Sequence, residues 1–347
     1  MTSKCTYRQA LRDAIALEME RDPRVVLFGL DVDDHKRIYG STEGLVERFG
    51  PGRCFGTPLS EDAMTGVALG AALSGLRPIH VHIRADFLTL AMNQLINMAS
   101  IARYMSAGAL EVPLVIRAVV GRGWGQSAQH SKSMHSLFAH VPGLKVVMPA
   151  TPNEARGLLL AAIRDPNPVI VLEHRWLYDV EGSVSDGDEA MPIGPLATLR
   201  SGSDVTIVAT SWMNVEALRA ADLLARRGVE VEVLNARSIA PFDDERLIES
   251  VSRTRHCIVA DNDWLHCGFS AEISARLMEK CFDRLASPVS RIGWAAAPCP
   301  TARSLEDHFY ANAATLIREV EKKLGLPAAD LSHEEFDSYE HRFKGPF

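Results

Sequence analysis

The run Pro113-Leu114-Val115-Ile116-Arg117-Ala118-Val119-Val120 is rich in β-branched residues and does not alternate with polar ones. That pattern belongs to a strand buried on both faces, in the middle of a parallel sheet. Upstream, residues 61–74 are small and helical in spacing, 78–83 are strand-like, and 87–105 read as one long helix with buried Leu, Ile and Met. Earlier still, Thr6 is placed to cap a helix carrying Ala10, Leu11, Ala14, Ile15 and Leu17, followed by a buried strand at 25–28. Downstream come a strand at 145–148, a helix at 153–164 and a strand at 169–172. Strands alternating with helices in this way predict a doubly wound α/β domain.

From 179 to 199 the composition shifts to Gly, Ser, Asp, Glu and Pro, which suits a connector. A second α/β series follows, with strands expected at 205–209, 229–234, 257–260 and 289–292 and helices at 215–227, 244–252, 271–282 and 311–324. The expected organisation is therefore two doubly wound domains, 1–180 and 201–347, joined by a linker at 181–200. The last twenty or so residues, polar and aromatic, are expected to drape over a neighbour.

At 347 residues, 47% apolar and 23% charged, the chain has the composition of an ordinary globular protein. A net charge of -7 argues against nucleic acid, and neither a polybasic patch nor an apolar run near the ~20 residues of a membrane span is present. The opening Met-Thr-Ser-Lys-Cys-Thr-Tyr lacks the apolar core of a secretory signal, so a cytoplasmic address is expected. Six cysteines without a Cys-x-x-Cys pair read as reduced, structural thiols.

Eight segments in order carry a resemblance: Arg48-Phe49-Gly50-Pro51-x-Arg53, Thr57-Pro58-Leu59-Ser60-Glu61, Gly75-Leu76-Arg77-Pro78, Asp86-Phe87 with Asn93-Gln94-Leu95-Ile96-Asn97, Arg103-Tyr104-Met105-Ser106, Ala128-Gln129-His130-Ser131, the stretch 139–147, and Ala162-Ile163-Arg164-Asp165-Pro166-Asn167-Pro168. Together they resemble the beta subunit of the thiamine-diphosphate-dependent decarboxylase component of 2-oxo-acid dehydrogenases, of the pyruvate, branched-chain and acetoin types. The resemblance implies an N-terminal pyrimidine-binding domain and a C-terminal transketolase-type domain. It implies that Glu61 hydrogen-bonds the aminopyrimidine of the cofactor, that Phe87 walls that ring with Leu90 nearby, and that His130 serves the substrate side. Each has a plainer reading: Ser60-Glu61-Asp62 also suits a helix cap, Phe87 a core position, and His130 a surface or satisfied histidine.

The resemblance further implies a potassium ion on the backbone carbonyls of Leu114, Ala162, Ile163, Asp165 and Asn167, residues that equally read as a helix end before prolines. The Gly-Asp-Gly and Asn-Asn pair that anchors diphosphate through magnesium is absent, and Ser185-Asp186-Gly187-Asp188 has the wrong order. The resemblance thus implies an alpha subunit holding the magnesium, an α2β2 assembly and a lipoyl acyltransferase as further partner. Departures from the family pattern cluster at His80, His82, Arg84, Arg117 to Gly121, Trp124 and His174. Of these His82, Arg84 and Trp124 are candidates for a substrate pocket that recognises an unusual acid or acceptor. Two other readings stand beside this one: the C-terminal half of a split transketolase-like carboligating enzyme, and a non-catalytic scaffold subunit.

Overall fold

The computed structural model describes residues 2–121 and 126–334. Its strands, in chain order, are β1 (Thr2–Thr6), β2 (Val25–Gly29), β3 (Cys54–Gly56), β4 (Arg77–His82), β5 (Val115–Val120), β6 (Lys145–Val147), β7 (Val169–His174), β8 (Glu181–Ser185), β9 (Ala197–Arg200), β10 (Val205–Ala209), β11 (Val231–Asn235), β12 (Ser238–Ala240), β13 (Cys257–Trp264) and β14 (Ser290–Trp294). The chain divides into two compact units. Unit 1 is built from described residues within 1–120, 137–193 and 238–241, and unit 2 from those within 121–136, 194–237 and 242–347.

Unit 1 holds a seven-stranded sheet in the order β12-β6-β7-β5-β4-β2-β3, parallel apart from the edge strand β12. The 113–120 run supplies β5, the middle strand of this sheet, with all six of its residues buried. The helices Tyr7–Arg21 and Pro152–Arg164 pack together, and each starts with a capping box, Thr6 with Gln9 and Thr151 with Glu154. At the end of β2, Gly29 (φ +149°) lies so close to β4 that a Cβ would fall 2.3 Å from the Val81 carbonyl oxygen. Only glycine fits there.

Unit 2 holds a five-stranded sheet, β14-β13-β10-β11-β9, parallel except for β9. Its core joins Ile207, Val233 and Ile258 of the sheet to Ala217 and Leu224 of the helix Met213–Ala225 and to Leu316 and Val320 of the helix Ala313–Leu324. The doubly wound α/β expectation holds for the chain.

Three local readings differ. Residues 87–105 are not one long helix: they run through a short α-helix Ala85–Leu88, a 3-10 turn Thr89–Ala91, a π-helical stretch Asn93–Ala99 and a final α-helix Ser100–Met105. Ser100 Oγ bonds the Ile96 carbonyl at 2.7 Å, a back-bond of the kind that distorts helices. Leu90, Met98, Ile101 and Met105, read as buried, are exposed. The 181–200 stretch carries strands at both ends, β8 paired with β1 and β9 on an edge of the unit 2 sheet. Edge strands facing water are polar, so composition conceals them. The C-terminal stretch expected to drape over a neighbour lies outside the described residues beyond 334.

Candidate functional site

Glu61 opens the helix Glu61–Leu73, whose buried stripe Glu61, Thr65, Ala68, Leu69 and Ala72 keeps helical spacing. Ser60 sits at the N-cap position but its side chain makes no capping bond, so that part of the capping interpretation fails; acids in the first turn remain. The Glu61 side chain is 7% exposed, and no hydrogen bond reaches its carboxylate from the described residues. A carboxylate to which no described residue donates adds little to folding and leaves its acceptor sites available to a ligand.

One helical turn on, Thr65 Oγ lies 3.1 Å from Nε2 of His82 on β4, tying the carboxyl end of that strand to the Glu61 helix. His80, on the same face of β4, places its ring 4.5 Å from His82 and its Nδ1 3.3 Å from the Phe28 carbonyl, while its Nε2 has no partner among the described residues. Burial pushes the pKa of His80 down to about 4; burial and the neighbouring His80 carry His82 well below the ordinary histidine value. Both imidazoles are therefore neutral at pH 7.

Just past β4, the buried Arg84 directs Nη2 to Tyr39 Oη at 3.4 Å. Phe87 follows half-buried, whereas Leu90, expected beside it on the cofactor wall, is 59% exposed. Across β5 and β7 the Arg117 guanidinium grips Glu173 through two bonds, Nε at 2.6 Å and Nη2 at 2.8 Å, and Nη2 also donates to Ser41 at 2.9 Å. The Tyr178 hydroxyl donates to the same carboxylate at 2.5 Å. Burial opposes the charge on Arg117, but Glu173 outweighs it and holds the guanidinium charged. Arg175 stacks 4.0 Å over the Tyr39 ring and 5.6 Å from Tyr178. No sequence reading pointed to Glu173, Arg175 or Tyr39; the charged pair closing the apolar strand β7 was the available signal.

Of the expected potassium ligands, Ala162, Ile163 and Asp165 stand at the end of the helix Pro152–Arg164, Asn167 follows it, and Leu114 precedes β5. The Ile163 and Asp165 carbonyls accept from Arg77 Nη1 at 2.7 and 3.4 Å, Ala162 O from the Asp165 amide at 3.3 Å, and Leu114 O from the Val169 amide at 2.9 Å. Arg103 approaches Asn167 Oδ1 at 3.4 Å and Lys145 pairs with Asp165. A carbonyl oxygen has a second lone pair that a hard monovalent cation could take, although the Arg77 guanidinium, itself a cation, already engages Ile163 and Asp165. Among the described residues no group of three or more His, Cys, Asp or Glu side chains is placed to hold a metal ion.

His130, half-buried, belongs to unit 2, whereas Glu61, Phe87 and Leu90 belong to unit 1. Trp124 lies outside the described residues. A cavity of about 330 Å³ in unit 2 runs along Gln129 and Ser131, the neighbours of His130, and is walled by Trp264, Trp294 and Phe309. Close by in sequence is a cluster that sequence reasoning missed. His135, fully buried, places Nε2 3.0 Å from Asp261 Oδ1 and Nδ1 3.1 Å from Ser133 Oγ and 3.6 Å from Asp263 Oδ2. Asp261 also accepts from Thr210 Oγ at 3.0 Å and the Ser270 amide at 3.0 Å.

Burial works against the charge on His135, but the charge and hydrogen bond of Asp261, with Asp263 behind, raise its pKa above the ordinary value. Burial likewise opposes ionisation of Asp261, which His135 and its other donors hold low, while burial pushes Asp263 up to about 6. A raised folded-state pKa stabilises below the unfolded value and loses that contribution as pH rises through the folded one. For Asp263 the loss runs from 3.8 to about 6; for His135 it begins at 6.5 and continues upward. The melting temperature is therefore expected to fall above pH 6.5 by an increment absent from His135→Gln. Parallel melting curves of the two proteins from pH 6 to 8.5 would contradict it.

The chain matches two family models, "Transketolase, pyrimidine binding domain" over residues 3–181 and "Transketolase, C-terminal domain" over residues 194–316. It is 42% identical over 305 residues to pyruvate dehydrogenase E1 component subunit beta-2, mitochondrial, of Oryza sativa subsp. japonica, covering 87% of this chain and 81% of that protein. It is 39% identical over 334 residues to the beta subunit of acetoin:2,6-dichlorophenolindophenol oxidoreductase of Cupriavidus necator, covering 93% and 98%. A solved split-gene transketolase, described as an inactive beta4 tetramer, shares the fold with a TM-score of 0.75 at 24% identity, over 93% of this chain and 99% of that one.

Proposed function

The chain belongs to the family of E1 beta subunits of the 2-oxo-acid dehydrogenases, built on transketolase pyrimidine-binding and C-terminal domains, and from that premise we propose that it activates thiamine diphosphate for decarboxylation of a 2-oxo acid, as half of an α2β2 enzyme. Bound thiamine diphosphate supplies the electron sink for decarboxylation. Glu61 exchanges a proton with the pyrimidine ring, Phe87 offers that ring an apolar face, and His130 moves a proton on the substrate side. His82 and Arg84, with Trp124, shape the substrate pocket. An alpha chain would hold the magnesium and diphosphate, with lipoyl-lysine on an acyltransferase, or another group, as the acyl acceptor. Potassium on the carbonyls of Leu114, Ala162, Ile163, Asp165 and Asn167 would brace unit 1 and carries no chemistry.

The single observation that carries this reading is the largely buried Glu61 at the start of its helix, whose carboxylate receives no hydrogen bond from the described residues. The partnership is supported by the apolar side chains of unit 1 exposed along 90–105, Met105 at 75% and Leu90 at 59% among them. No described helix is long and apolar enough to cross a membrane, and the six free cysteines suit a reducing, cytoplasmic setting.

The test is reconstitution with an alpha chain bearing Gly-Asp-Gly and Asn-Asn. Thiamine-dependent release of carbon dioxide from a 2-oxo acid by the mixture, and by neither chain alone, is the expected result. Consumption of a ketose phosphate without carbon dioxide release would overturn it in favour of a split transketolase.

A further inference from the structure

We propose that His135, held between Asp261 and Asp263 of β13, is a positioning residue that fixes the segment 126–136 within unit 2 and so sets the place of His130. The part that concerns the reaction rests on the functional reading of His130; the anchoring of the segment does not.

The path of the chain comes first. β5 ends at Val120 in unit 1 and residues 137–193 lie in unit 1 again, yet the described stretch between them belongs to unit 2. From 126 to 134 it has neither helix nor strand. Without a ladder of backbone hydrogen bonds, its place is set by its side chains. Their burial alternates: Ser131, Ser133 and His135 are 2%, 0% and 0% exposed, while His130, Lys132 and Met134 are half-buried. One set of side chains anchors the segment, and the set that alternates with it, His130 included, is left nearer the surface.

The anchor comes second. The His135 imidazole reaches Asp261 through Nε2 at 3.0 Å, and through Nδ1 it meets Ser133 Oγ at 3.1 Å and Asp263 Oδ2 at 3.6 Å. Asp263 also accepts from the amides of Met134 and Trp264. Met134 holds φ +54°, a left-handed backbone that is costly for a residue other than glycine and persists where its surroundings impose it. Asp263, bonded to the Met134 amide and facing the next side chain, supplies that constraint. Asp261 is itself fixed by Thr210 Oγ and the Ser270 amide. The neutral ring of Phe269 lies 6.1 Å from the imidazole, and the charged groups acting on His135 are Asp261 and Asp263.

The link to His130 comes third. Gln129 and Ser131, which flank His130, line the same cavity as Trp264, the residue after Asp263. The anchor and His130 are therefore joined twice, through the short chain between them and across one cavity. Burial opposes the charge on His135, but Asp261 and Asp263 outweigh it and raise its pKa, while Asp263, pushed up to about 6, is ionised above that value. The attraction thus weakens as pH climbs through the raised value of His135.

The test is hydrogen–deuterium exchange of the purified full chain, read on peptides covering 126–136 and, for reference, β10 and β11. At pH 6.5, exchange in 126–136 is expected to be at least about tenfold faster in His135→Gln than in the parent, and faster by a smaller factor in Asp263→Asn, with β10 and β11 unaltered. Corrected for intrinsic rates, it also rises toward about pH 9 in the parent but not in His135→Gln. Exchange unaltered in both variants overturns the anchor, and so does an equal rise throughout unit 2, the mark of a residue that only supports the fold. Asp263→Asn keeps the shape of its parent and serves where His135→Gln does not fold. In the reconstituted pair, kcat of His135→Gln falls by about ten- to a hundredfold with cofactor affinity unchanged. Parental turnover with a loosened segment overturns the positioning role. A loosened segment with no 2-oxo acid consumed by the parent pair sinks the functional reading and leaves the anchor standing.

Discussion

Replacing Glu61 with Gln lowers thiamine-dependent turnover of the reconstituted complex by about 10²–10⁴-fold, the usual range for losing a positioned proton-transfer group, while the isolated chain melts at the same temperature or higher. The two halves of this expectation have one cause. Glu61 is buried, and its carboxylate receives no hydrogen bond from the described residues. Folding therefore bears the cost of partly burying a carboxylate to which no described residue donates. A neutral amide of the same shape removes that cost but does not exchange a proton with a ring nitrogen. A residue kept for the fold shows the opposite pattern, in which stability falls and activity follows in proportion. The measurements are carbon dioxide release by the complex, cofactor affinity by fluorescence quenching, and thermal melts of the chain alone. Turnover within a factor of about two of the parent would remove Glu61 from the chemistry.

Unit 1 and its centre were legible because burial on both faces forces an unbroken apolar pattern, which 113–120 displays. Glu61 was legible only through its neighbours Thr57 to Ser60, since a lone carboxylate at a helix start is also a cap. The distorted stretch 89–99 was illegible: its apolar residues fit helical spacing, but several face outward, and periodicity does not say which side is covered. The charged groups were hidden for a different reason. Arg117 and Glu173 come from separate strands and His135 and Asp261 are 126 positions apart, so only the topology that sets β5 beside β7, or the fold of unit 2, brings them together. Nothing local in either partner announces the other.

Arg117→Met is expected to cost about 3–5 kcal/mol of stability, far more than the loss of an exposed ion pair, because it leaves Glu173 ionisable, buried and held by the Tyr178 hydroxyl alone. Arg117 and Glu173 are each 1% exposed, and the guanidinium is the largest side chain fully buried in the protein among the described residues. The pair is not thereby a large net stabiliser: two ions have left water to make it, and their attraction does little more than offset that loss. The same reasoning predicts that Arg117→Met combined with Glu173→Leu recovers most of the deficit, less the ~1–3 kcal/mol of a Tyr178 hydroxyl stripped of its acceptor. Urea unfolding midpoints of the parent, both single variants and the double variant form a cycle whose coupling should be strongly non-additive. If the two losses simply add, Arg117 and Glu173 act independently and the buried pair is not what holds the carboxyl ends of β5 and β7 together. If they cancel, the ion pair sets the geometry of the strand ends on which Arg175 and Tyr178 stand, and the stability of unit 1 comes from the apolar sheet around it.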